Sequence, residues 1–449
     1  MLIKKTLAVA VVFICFNLLL LVFLKFESGL VSKYISCLVF ISFFIYLWLL
    51  FRGARAFLLS SYFSIFYFVF LFISAASAEE GAYMLEAGKY GSLNGATLVV
   101  ATFFIVCLET GKFSYSWVES FAGKISYPRF SNFTEKLVAG LILFLTLVLC
   151  GYVLFRYSGS FLLGVERADY LSRVVPPWVA IVKSLSLQSF LICVTAYFMS
   201  KQPLTKRIFG LGLLGILACL IIIFGEKFSA LNLCVMFSLM ALAGRAPNFN
   251  FSRGIILFCA FALVSVLSLV AYSYVSLGRD PDFIFTRVVL QSQVIWSVMD
   301  APLNVILWGN GGGCFFGCES FNTGAQYLDY LVLPEALYEF YQRSGTSLSG
   351  YFPAVLIHQY GLLVSMIVAV IGSFFLAGVQ AFLVIAIRKG ALLFSFVLFK
   401  IYYMVLAFLY FGQIGVFNEV VVVCIVVGLL MILLANVVRY ESTNLGAGK

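Results

Sequence analysis

The chain consists of apolar runs long enough to cross a bilayer, joined by short connections that carry most of its basic residues. That pattern leaves few ways to fold. In hydrocarbon every backbone N–H and C=O must be satisfied within the segment, so a run of about 20 apolar residues is read as a helix. Only 11% of the 449 residues are charged, against roughly 25% in a soluble domain. The net charge of +10 is scattered between apolar segments rather than gathered in a stripe or tail. It therefore reads as an orientation signal and not as a nucleic-acid surface.

Twelve spans are expected, near 6–24, 34–51, 56–76, 95–109, 136–155, 177–199, 207–224, 228–244, 254–275, 361–387, 391–413 and 416–437. The fourth is short. The first begins like a signal peptide, with Lys4 and Lys5, but lacks a small-x-small cleavage site and reads as a membrane anchor. Alternate connections hold Arg52, Arg55, Lys112, Lys124, Arg129, Lys136, Lys201, Lys206, Arg207, Arg245, Arg253, Arg388 and Lys389, with Arg439 in the tail. The acidic "SAEEGAYMLEAG" falls on the other side. The expectation is an all-α polytopic integral membrane protein with both termini inside. Its parts are spans 1–9 over 1–275 with a smaller outer loop at 156–176, a large outer loop at 276–360, and spans 10–12 over 361–449. In a bacterial inner membrane the outer side is the periplasm, and functional residues concentrate in such loops.

Nine of the eleven cysteines lie in spans as small buried apolar residues. Cys314 and Cys318 lie in the large loop, where a disulfide or two free thiols both fit. Two cysteines without a nearby histidine do not make a zinc site, and the metal expectation is none. Asp280 and Asp282 flank Pro281 and read as a turn rather than a metal-binding Asp-x-Asp.

Within the large loop, 284–300 has helical periodicity and is expected to cap the bundle rather than lie on the membrane surface. The run "GNGGG" at 309–313 allows positive φ and close backbone approach. Pro334, Glu335, Arg343 and Gly345 mark a short helix over 334–343. Arg343 either complements that helix dipole or reaches an anionic substrate.

In order and spacing these residues resemble the O-antigen ligase and polymerase superfamily of inner-membrane glycan transferases. The shared pattern is an arginine (Arg287), an aromatic (Trp296), a helix ending in Asp-x-Pro ("MDAP", 299–302) and a glycine-rich turn closed by an aromatic. Here that turn reads Gly309, Gly311, Gly312, Gly313 and Phe316. "FGEKFSALN" at 224–232 stands where the family often carries Ser-Arg, and Gly361 where a glycine opens the next span. The resemblance covers about 205–387. It departs in lacking the ligase His-Asn pair, since Ser349 and Gly350 occupy that place. That absence favours the polymerase branch.

The resemblance implies a large periplasmic loop with short helices, similar to type-C glycosyltransferases, and metal-independent joining of lipid-linked repeat units without a cofactor. The donor would be a growing glycan on undecaprenyl pyrophosphate, and the acceptor a second lipid-linked unit. A polysaccharide chain-length regulator would be a further partner. Cations would neutralise the leaving pyrophosphate, arginine best of all. The candidates are Arg287 first, then Lys227, Arg279 and Arg343, with Arg156 and Arg173 from the smaller loop. Glu226 and His358 are the base candidates, and Glu166 and Asp169 are further ones. The plainer readings are a Glu226–Lys227 pair snorkelling to the interface and His358 hydrogen-bonded near the start of a span. The competing functions are ligase transfer to lipid A core, a lipid-linked oligosaccharide flippase, and a non-catalytic scaffold.

Overall fold

The computed structural model describes residues 55–125, 132–165, 170–225, 229–245, 288–311, 324–344 and 351–411. Tyr127, Thr286, Leu348, Val426 and parts of 11–21 and 39–46 are described as well. These residues form a mostly helical polytopic membrane protein. Helices α1 Arg55–Ser60 and α2 Tyr62–Glu79 lead into a two-strand antiparallel hairpin, β1 Tyr83–Met84 with β2 Lys89–Tyr90. Then come α3 Ala96–Ala122, α4 Asn132–Tyr157, α5 Ser160–Leu163, a π turn Tyr170–Val174, α6 Trp178–Met199, α7 Pro203–Ile222 and α8 Ser229–Arg245. The large loop holds α9 Gln293–Met299, α10 Leu303–Trp308, α11 Gly324–Val332 and α12 Glu335–Ser344. Two long helices follow, α13 Tyr351–Lys389 and α14 Leu392–Phe411.

Seven of the described helices are long and apolar enough to cross a membrane: α2, α3, α4 continued through α5, α6, α7, α13 and α14. The eighth expected span is α8, a 17-residue apolar helix. The expected span at 254–275, that at 416–437 apart from Val426, and most of those at 6–24 and 34–51 lie outside the described residues.

Two limits need correction. The third span is not one helix, because Ser61 separates α1 from α2. The fourth is not short, since α3 runs for 27 residues. The charges in its second half are matched: Glu109 accepts from the Tyr46 hydroxyl at 2.8 Å and lies 3.7 Å from Lys112. Glu119 pairs with Arg388 at 2.9 Å. A carboxylate met by a donor does not have to leave the helix for water.

α3 is the centre of the bundle. It is buried along most of its length and packs on α13, where the Ser114 hydroxyl donates to the Phe374 carbonyl at 2.6 Å. Small residues permit this closeness, as Gly111 lies under Phe57 and Ala377. Gln380 of α13 donates to Ser60 and Ser61 at 2.6 and 2.9 Å and so holds the break between α1 and α2. On the outside, α4 exposes Leu137, Leu141 and Phe144, and α7 exposes Leu204, Ile208 and Leu211. In water such faces would be costly; in a bilayer they meet lipid tails.

Candidate functional site

The large loop is seated on the turn between α2 and α3, and a buried carboxylate organises that seat. Glu79 ends α2, and its Oε1 accepts from the backbone N–H of Gly95 at 2.6 Å and of Asn94 at 3.3 Å. Its Oε2 accepts from Thr97 N–H at 3.4 Å. These donors lie at the start of α3, where N–H groups have no partner within the helix and a negative charge is favoured. Asn94 extends the network by donating from Nδ2 to the Trp296 carbonyl at 2.8 Å, and Trp296 Nε1 donates back to Ser92 at 2.8 Å. Glu86 of the hairpin accepts from Gln293 and from the Tyr341 hydroxyl. The acidic "SAEEGAYMLEAG" stretch is thus a docking platform for α9 and α12.

The helix expected over 284–300 is interrupted. A turn at Leu290–Ser292 precedes α9, because the Ser74 hydroxyl takes up the carbonyls of Val288 and Val289 at 2.6 and 3.1 Å. α9 itself buries Val294, Ile295, Trp296, Val298 and Met299, so it caps the bundle. It ends at Met299, with Asp300 and Pro302 separating it from α10.

The glycine turn then meets the start of the next span. Gly309 and Gly311 have φ of 77° and 66°, and Gly361 breaks α13 with φ 78° and ψ 170°. Asn310 N–H donates to the His358 carbonyl at 2.9 Å, and Gly311 N–H to Gln359 at 3.2 Å. The Asn310 amide Nδ2 lies 3.3 Å from His358 Nε2, and the Tyr327 ring centroid lies 5.7 Å from the imidazole. His358 is half-buried, while Gln359 is buried with neither amide atom hydrogen-bonded. Either end of the Asn310 amide can face the ring; with its oxygen accepting from one imidazole N–H, the other nitrogen of a neutral His358 is free to take a proton from an incoming hydroxyl.

In the same loop, Asp329 of α11 is fully buried. It accepts from the Tyr351 hydroxyl at 2.9 and 3.1 Å and from Leu348 N–H at 3.2 Å. Burial pushes its carboxyl up to about 6; the bonds from Tyr351 and Leu348 oppose the rise, and the charge of Glu86 adds to it.

The smaller loop forms a second group. Arg156 is exposed in the last turn of α4, and Arg173 is exposed in the π turn. The Tyr170 hydroxyl of that turn donates to Ser158 at 2.8 Å, and Ser160 N–H donates to Ile223 at 2.9 Å. The ends of α4 and α7 and the π turn are therefore bound together. Arg343 stands in the last turn of α12, as its sequence position suggested. Glu226, Lys227, Arg279 and Arg287 lie outside the described residues, as do Glu166, Asp169, Asp280, Asp282, Cys314 and Cys318. Near Glu226 and Arg287 in the chain, the Ile223 carbonyl accepts from Ser160 N–H and the Val288 carbonyl from the Ser74 hydroxyl.

Asp329, Asn310 and Glu86 were not singled out from sequence. Asp329 carried a usable signal, as the only acid in the apolar helix "GAQYLDYLV". Among the described residues, no three His, Cys, Asp or Glu side chains gather as metal ligands would. Comparison with protein-family models, with curated proteins and with solved structures finds no match.

Proposed function

We propose that this chain is a glycan polymerase that joins lipid-linked oligosaccharide repeat units at the membrane face carrying the large loop. The observation that carries the reading is the junction of Asn310 with His358. It brings the glycine turn after the Asp-x-Pro helix onto the residues just before Gly361, which are the parts that the sequence resemblance singled out. In this reading the acceptor hydroxyl attacks the anomeric carbon of the donor glycan. A C–O bond forms to the acceptor, the C–O bond to the lipid pyrophosphate breaks, and His358 takes the hydroxyl proton. Arg287 and Lys227 are assigned to neutralise the charge growing on the departing pyrophosphate, with Arg343, Arg279, Arg156 and Arg173 as supporting cations. Fixed cations aimed at such charge supply several kcal/mol of transition-state stabilisation. Glu226 beside Lys227 either positions that cation or serves as an alternative base.

The deciding experiment gives purified protein in nanodiscs a single lipid-linked repeat unit and resolves the products by length. The expected result is a ladder of longer lipid-linked glycans, lost in folded Arg287→Ala. Transfer only to an added lipid A core acceptor would replace the polymerase with a ligase. Movement of unextended lipid-linked oligosaccharide across the bilayer, with no ladder, would replace it with a flippase.

A further inference from the structure

α3 and the part of α13 beyond Gly361 carry the fold away from this site, and at their far ends the protein holds a second polar feature. A cavity of about 630 Å³ is lined by Phe133, Lys136, Met199, Lys201, Gln202, Arg245, Arg388, Lys389 and Gly390. α3 is 27 residues long, so the cavity lies about 40 Å along the bundle from the start of that helix. All five cations are ones that the sequence assigns to the cytoplasmic connections. They come from four separate parts of the chain, so their convergence is a property of the fold.

Among the described residues, two carboxylates stand beside these cations, and both are engaged. Glu119 pairs with Arg388 at 2.9 Å, and buried Glu135 accepts from Leu392 N–H at 2.8 Å. Even if both are counted as fully neutralising, three positive charges remain around the cavity. Backbone carbonyls fix the positions of two cations, and a carboxylate fixes a third. Arg245 donates to Arg388 O at 3.3 Å, and Lys389 Nζ donates to Gly123 and Ile125 at 2.6 and 2.7 Å. Arg388 follows from its pair with Glu119, yet its Nε is buried and donates to nothing. A preorganised ring of cations with an unused buried donor is suited to a multiply accepting anion such as phosphate.

The surface beside the cavity points to the source of that phosphate. Phe133 lines it and is 75% exposed, and Leu137, Leu141 and Phe144 continue the same exposed face of α4. On α7, Leu204, Ile208 and Leu211 start two residues beyond Gln202 and are likewise exposed. Gly212 and Gly215 seat Leu143 and Leu147 between these helices. A soluble phosphate uses only the cations, whereas a phospholipid uses both the cations and the adjoining apolar faces.

We propose that this cavity binds the headgroup of an anionic phospholipid, its acyl chains lying along the exposed faces of α4 and α7. The site is independent of the polymerase reading. Basic pockets between membrane helices have this capacity, and each added cation strengthens the hold on an anionic headgroup.

The test delipidates the full-length protein in neutral detergent and titrates phosphatidylglycerol, phosphatidylcholine or inorganic phosphate. Bound lipid is read by native mass spectrometry and stability by apparent Tm. Phosphatidylglycerol should be retained and raise the Tm, while the other two do neither. Lys136→Gln with Lys201→Gln should weaken phosphatidylglycerol binding roughly thirtyfold. Lys89→Gln on the distant hairpin removes a charge elsewhere and should change nothing. If the double variant does not fold, the exposed Lys201→Gln alone should still show weaker binding. Equal binding of phosphatidylcholine, or undiminished binding by the folded variants, overturns the proposal. An equal response to inorganic phosphate overturns the lipid and leaves a free-anion site.

Discussion

Gly309 and Gly361 meet backbone to backbone. A Cβ on Gly309 would lie 2.4 Å from the Gln359 carbonyl oxygen, and one on Gly361 would lie 2.2 Å from that of Leu307. Both residues also hold positive φ. Two separate demands, conformation and space, therefore fall on the same pair.

Gly309→Ala and Gly361→Ala should each destabilise the loop by about 3 kcal/mol. Positive φ costs an alanine about 1–2 kcal/mol, and the backbone must also shift. Apparent Tm in detergent checks this, with Gly88→Ala as the comparison. Gly88 also has positive φ, but nothing lies within 4 Å of its missing Cβ. The two junction variants should therefore lose clearly more than Gly88→Ala.

These glycines were legible in the sequence, one in "GNGGG" and one opening the tenth span, but their contact was not. Among the described residues, apolar run length alone gave most of the long helices, because backbone hydrogen bonding in lipid leaves few alternatives. It failed where polar groups find partners inside the protein. Glu109, at the end of the expected span, and Glu119, beyond it, lie within α3, matched by donors, Tyr46 and Arg388, that are 63 and 269 residues away. Ser74 cut the helix expected over 284–300 from 214 residues away. Asp329 stayed hidden for a related reason: its partners Leu348 and Tyr351 lie in a different loop segment.

Glu79 should matter through its oxygens as hydrogen-bond acceptors. Glu79→Ala leaves the buried N–H groups of Asn94, Gly95 and Thr97 without their acceptor and should cost about 2–3 kcal/mol. Glu79→Gln keeps one carbonyl oxygen and should cost less than Ala. Chemical unfolding would order the three proteins, and amide hydrogen exchange at the start of α3 should follow the same order.

Asp329 predicts a pH dependence of definite sign. Its carboxyl is pushed up to about 6 from 3.8, so the folded protein holds this proton more tightly than the unfolded chain. The contribution to stability is fully present below about pH 4 and is lost as pH rises through about 6, at most about 3 kcal/mol across that window. Asp329→Asn cannot ionise but keeps an acceptor for Tyr351 and Leu348. The stability of wild type relative to Asp329→Asn should therefore fall between pH 4 and 6.5 and then level. A flat difference across that range would place the ionisation of Asp329 outside it.

On the polymerase reading, Asn310 is a positioning residue for His358, and the two should separate kinetically. His358→Ala removes the proton acceptor and should lower kcat about a hundredfold, with partial recovery on adding imidazole. Asn310→Ala leaves the imidazole in place but loses the contact at 3.3 Å. It should lower kcat by about tenfold with KM unchanged, since 1.4 kcal/mol of lost orientation is one decade of rate. Added imidazole should not restore Asn310→Ala, because its own imidazole already fills the site. If His358→Ala keeps full activity, Glu226 becomes the base to test, and the Asn310–His358 contact is then a fastening of the glycine turn alone.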